Sequence, residues 1–146
     1  MTIIEKDGIR FLVDIEKTRR YYRDLTPCTC RYCRHLYSHI QGVFPELEAF
    51  LSEFGIDIAK PDETAPFETE NSFFYSFAGY TVCGKMANAP KKEIRIAGQP
   101  GFTVLCEEGF VFPNEQAGEY FSLSVSAFEL PVKIDRRKDS PETTDC

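Results

Sequence analysis

Over the first 25 residues the apolar positions change from short extended runs to a helical spacing. Thr2 to Glu5 and Ile9 to Ile15 are apolar-rich runs separated by Lys6-Asp7-Gly8, and Asp-Gly between such runs signals a β-hairpin. Asp14 is then placed to cap a helix, and Ile15, Thr18, Tyr22 and Leu25 follow at i, i+3, i+7 and i+10 with basic residues between them. That helix must end near Leu25, because Pro27 disfavours helical backbone at Thr26. A second stripe, Cys33, Leu36, Tyr37 and Ile40, closes at Gly42. The third is the clearest: Leu47, Phe50, Leu51 and Phe54 repeat at helical spacing behind Pro45, with Glu46 and Glu48 in the first turn and Gly55 as C-cap. The short link from Gly42 to Phe44 predicts that these last two helices form an antiparallel hairpin.

Beyond Gly55 the pattern has no helical period. Ile56 to Asn71 carries two prolines and five acids and reads as a loop. Phe73 to Lys85, Glu93 to Ala97, Phe102 to Glu107 and Tyr120 to Leu130 read as strands. In the last of these, Phe121, Leu123, Val125 and Ala127 alternate with Ser122, Ser124 and Ser126, which predicts one buried face and one wet face. Gly98 to Gly101 is a turn between two strands. The expectation is an α+β fold, a helical hairpin packed on an antiparallel sheet of about five or six strands.

A length of 146 residues, with 42% hydrophobic and 27% charged, fits one globular core. The domain is expected to span 1–132, followed by a polar tail over 133–146. The apolar stretches are about half the roughly 20 residues a membrane helix requires, and Met1 to Phe11 lacks the continuous apolar segment of a signal peptide. A cytoplasmic location with reduced thiols is therefore expected.

The net charge of −6 is unevenly distributed. Lys17, Arg19, Arg20, Arg23, Arg31 and Arg34 face only two acids between Ile15 and Ser38, whereas Pro45 to Glu70 holds eight acids and Lys60. Arg19, Arg20, Arg23, Arg31 and Arg34, interleaved with Tyr21, Tyr22 and Tyr32, suit an acidic protein or the phosphates and bases of a nucleic acid. An overall acidic chain makes a protein the better partner. The alternative is that the acidic segment docks on these arginines within one molecule.

Chemistry concentrates in Cys28-Thr29-Cys30-Arg31-Tyr32-Cys33. An extended Cys-x-Cys running into the first turn of a helix brings three sulfurs toward one point, as a tetrahedral zinc requires. A closed site needs a fourth ligand, for which Cys83, Cys106, His35 and His39 are the candidates. The same residues support a second reading. Cys30 and Cys33 form a Cys-x-x-Cys at a helix start, where the dipole and Arg31 and Arg34 favour a thiolate, and Tyr32 occupies the position it has in the glutaredoxin dithiol. Against thiol-disulfide chemistry stands the absence of a βαβ context. Plain burial is the third reading, since Cys33 shares a stripe with Leu36 and Cys106 a strand face with Val104. No nucleophile elbow, phosphate loop, dinucleotide fingerprint or zincin helix is present, and Asp62-Glu63 and Glu107-Glu108 have the pattern of solubilising charges. A non-enzymatic binding module with zinc at the cysteines is the leading expectation.

The run from Cys28 to Tyr37, followed by Phe44-Pro-Glu-Leu-Glu-Ala-Phe-Leu51 and Phe54-Gly-Ile-Asp-Ile-Ala-Lys-Pro61, resembles a group of small uncharacterised proteins of Firmicutes bacteria that carry a Cys-x-Cys-x-x-Cys motif. The likeness extends over most of Ile9 to Val132. It implies a bacterial cytosolic origin and no particular activity.

Overall fold

The computed structural model describes residues 1–108 and 118–132. Strands β1 (Thr2–Lys6) and β2 (Ile9–Val13) open the chain, followed by helices α1 (Ile15–Asp24), α2 (Arg31–His39) and α3 (Pro45–Glu53). Six strands complete it: β3 (Glu63–Glu68), β4 (Ser72–Asn88), β5 (Glu93–Ile96), β6 (Phe102–Glu108), β7 (Tyr120–Val125) and β8 (Phe128–Pro131). The α+β class holds, with three helices and eight strands among the described residues rather than a helical hairpin on five or six.

Two features account for the strand count. Glu63–Glu68, expected to be loop, is β3, and none of its residues is buried, so it has no apolar alternation to read. The final strand is divided at Ser126 and Ala127 into β7 and β8. Its serine face is not wet throughout, because Ser122 is buried.

Local signals set the ends of the early elements. Asp7 and Gly8 both take positive φ (52° and 82°), as a type I′ hairpin turn demands. Asp14 caps α1 by accepting the Lys17 N–H at 3.0 Å, and Pro45 begins α3.

The sheet runs β1-β2-β4-β7-β6-β5, with β3 and β8 also paired to β4. All of these pairings are antiparallel. The 17-residue β4 is thus the common partner of β2, β3, β7 and β8. Along one edge of β4, β2 pairs with Gly84 to Asn88 and β3 with Phe73 to Gly79. Between them α1 supplies the hydrogen bonds that a strand would make. The Thr81 N–H donates to Tyr22 Oη at 2.8 Å, and that hydroxyl donates to the Thr81 carbonyl at 2.7 Å. The Cys83 N–H donates to Thr18 Oγ1 at 3.0 Å. Thr18 and Tyr22, at i and i+4, share one face of α1, and both are buried. Gly84 marks where β2 joins this edge: it has φ +147°, and a Cβ there would lie 2.0 Å from the Leu12 carbonyl.

The core lies between α3 and the sheet. Phe11 of β2 meets Phe54 edge-on at 5.2 Å and stacks on Phe121 at 5.2 Å, while Phe44 packs against Phe102 and Phe128. The sheet curls enough for the Arg95 N–H of β5 to reach the Asp7 carboxylate in the β1–β2 turn at 3.4 Å. Lys6 of β1 pairs with Glu53 of α3 at 2.9 Å. None of the described helices is long and apolar enough to cross a membrane.

Candidate metal centre

Pro27 keeps the chain extended after α1, and the backbone turns helical only after Cys30, the N-cap residue of α2 (φ −64°, ψ 159°). This change of backbone gathers the sulfurs. The Cys30 N–H points at Cys28 Sγ (3.5 Å), the Cys33 N–H points at Cys30 Sγ (3.4 Å), and the three sulfurs lie within 4.8 Å of one another. Ligands at about 2.3 Å from a tetrahedral zinc stand about 3.8 Å apart, so a small contraction would close the trio on an ion. Peptide N–H groups and the start of a helix both favour negative sulfur. Cys30 is fully buried and Cys28 and Cys33 are half-buried.

Electrostatics within the trio runs the other way. Burial, then the neighbouring Cys28, pushes the Cys33 thiol up to about 12. Without a cation this group stays protonated at neutral pH; a bound divalent ion reverses that preference. The Thr64 hydroxyl lies beside Cys33, favours its thiolate, and is buried with no partner other than that sulfur among the described residues. Beneath the knuckle Tyr75 Oη donates to the Tyr32 carbonyl at 2.6 Å, anchoring the first turn of α2 to β4. Cys30 is disulfide-bonded in this structure, so the trio offers three thiolates only after its reduction.

The other candidate ligands stand apart from this group. Cys83 sits on β4 behind Thr18; Cys106 is buried on β6 among core side chains, and burial pushes its thiol up to about 12. His35 Nε2 lies 3.0 Å from the Pro131 carbonyl and His39 Nδ1 2.9 Å from the His35 carbonyl.

The five arginines do not share one environment. Arg31 pairs with Glu68 of β3 and lies over the rings of Tyr32 and Phe73. Arg19 pairs with Glu16 at 2.8 Å. Arg20, Arg23 and Arg34 are exposed. Arg19 and Arg23 line an open cleft of about 410 Å³ with Lys60 and Asp57, and Lys60 closes the end of α1 by donating to the Tyr22 and Leu25 carbonyls at 2.7 and 3.1 Å. Glu68, from the acidic segment, thus neutralises Arg31 within the molecule.

Two residues escaped the sequence reading. Thr64 fell in the expected loop. Asp62, read as a solubilising charge, instead accepts from the hydroxyls of Tyr21 and Thr81, and burial raises its pKa above the ordinary 3.8. Neither has a local pattern, since both are placed by β4.

Compared with known proteins, the chain matches no family model, no curated protein and no solved structure, so the resemblance to the bacterial Cys-x-Cys-x-x-Cys group gains no support from that direction and the chemistry rests on the knuckle.

Proposed function

We propose that Cys28, Cys30 and Cys33 hold a structural zinc ion, and that the protein is a cytosolic binding module rather than an enzyme. The observation that carries the reading is the convergence of three sulfurs within 4.8 Å, with two peptide N–H groups aimed at them. A soft, borderline cation suits such a donor set. The ion would tie the α1–α2 connection to the first turn of α2, leaving the exposed Arg20 and Arg23 of α1 available to an acidic protein partner. Elemental analysis of protein purified under reducing conditions should give zinc at about one ion per chain, and Cys28→Ser with Cys33→Ser should remove it. Substoichiometric metal in the wild-type protein would refute the reading.

Thiol-disulfide chemistry through Cys30 and Cys33 is the second reading, favoured by the place of Cys30 at the N-cap of α2. Its burial and the raised Cys33 thiol oppose it. Reduced Cys30 alkylating only near the ordinary thiol pKa of about 8.5 would exclude it.

A further inference from the structure

We infer that the cleft between α1 and the segment after α3 binds a phosphate monoester, gripped by Arg19, Arg23 and Lys60. This site uses none of the knuckle's residues and does not depend on the metal reading. The cleft encloses about 410 Å³, within the range of pockets that take small ligands. Three cationic side chains line it against one carboxylate, that of Asp57. That carboxylate is already engaged, accepting the Ala59 N–H at 2.9 Å.

Each cation is held in place and keeps donors to offer. Arg19 and Arg23, four residues apart, share one face of α1. Gly55 lets that face come close: it has φ +89°, and a Cβ there would lie 2.8 Å from the Ile15 carbonyl and 3.3 Å from Arg19 Cγ. The Arg19 stem is thereby laid across Gly55, and its guanidinium meets the exposed Glu16 at 2.8 Å, a solvated pair of small net strength. Lys60 donates to the Tyr22 and Leu25 carbonyls, which leaves one ammonium donor over. Because Lys60 satisfies the end of α1, Arg23 is not needed there. Arg23 has no ion-pair or hydrogen-bond partner among the described residues.

The ligand class follows from this donor set. Three cationic groups from two segments match the three oxygens and the charge of about −2 on a phosphate monoester. A carboxylate has only two oxygens and a single charge to set against them. Buried Tyr22 and Ile56 give the cleft an apolar floor, which suits the organic part of an ester rather than free phosphate.

The test titrates the full-length protein at low salt with phenyl phosphate, inorganic phosphate and acetate, followed by amide chemical shifts and by calorimetry. Phenyl phosphate should saturate a single site, with the largest shifts at Gly55, Ile56 and Lys60. It should bind more tightly than inorganic phosphate, and at least about 10-fold more tightly than acetate. Arg23→Gln should weaken it by about 10-fold or more. Arg20→Gln removes the same charge from the same helix but outside the cleft, and should change affinity by less than about twofold. Equal losses in the two variants would mean general attraction to a basic helix and would overturn the inference. Shifts that never saturate or that centre elsewhere would overturn it as well, and so would acetate or inorganic phosphate binding as tightly as the ester.

Discussion

Two junctions fasten the helices to β4, and they use opposite chemistry. At the first, Thr18 and Tyr22 of α1 complete a strand edge with neutral hydrogen bonds, each polar atom meeting a partner within 3.0 Å. At the second, the knuckle before α2 brings like groups together. Its sulfurs repel one another once ionised, and Thr64 leaves a hydroxyl with only a sulfur beside it. A buried network is stable when every member is satisfied and costly when one is not. The first junction therefore holds without help, whereas on the proposed metal reading the second would gain its full strength from a cation.

The largest expected effect separates them directly. Zinc at about 1,000 times its Kd should stabilise the wild-type protein against urea by about 4 kcal/mol, and should do nothing for Cys33→Ser. Equal stabilisation of both proteins would place the ion elsewhere. Next in size, Tyr22→Phe strands the buried N–H and carbonyl of Thr81. The expected loss is about 2 to 4 kcal/mol, the same with and without zinc; a loss that zinc repairs would mean that the two junctions are coupled.

The smallest effect is in the pH dependence. Asp62 closes the first junction by accepting from Tyr21 and Thr81, and its raised pKa means that the native protein holds this proton more tightly than the unfolded chain does. The resulting stability is complete below the ordinary value of 3.8 and is lost as pH rises through the native value. Urea midpoints measured from about pH 3 to 6 should fall by less in Asp62→Asn than in the wild type over that window. Identical slopes would exclude Asp62 as the titrating group.

The parts of this fold legible in the sequence were those whose cause is local. Asp7-Gly8 turns the hairpin, Asp14 and Pro45 start helices, and Cys28, Cys30 and Cys33 converge because the backbone changes from extended to helical within six residues. What depended on distant partners was not legible. β3 has no buried residue and exists because β4 offers an edge. Pro66 sits at the irregularity in its register, where a missing N–H is tolerated. Ser122 looked wet by alternation, yet its hydroxyl is buried near the Glu107 carbonyl at 3.5 Å. The role of Tyr22 was visible only as an apolar position on a helix, because its partner stands 59 residues away.

That separation has a consequence during synthesis. At about 5 to 20 residues per second, α1 is synthesised roughly 3 to 12 seconds before Cys83 is added and β4 reaches the residues that α1 must join. Through that interval Thr18, Tyr22 and the apolar face of α1 have no sheet to meet. The knuckle needs no such wait, since its three cysteines are made within a fraction of a second to about one second of each other. A metal captured there would organise the start of α2 on the nascent chain, ahead of the strand that later receives it.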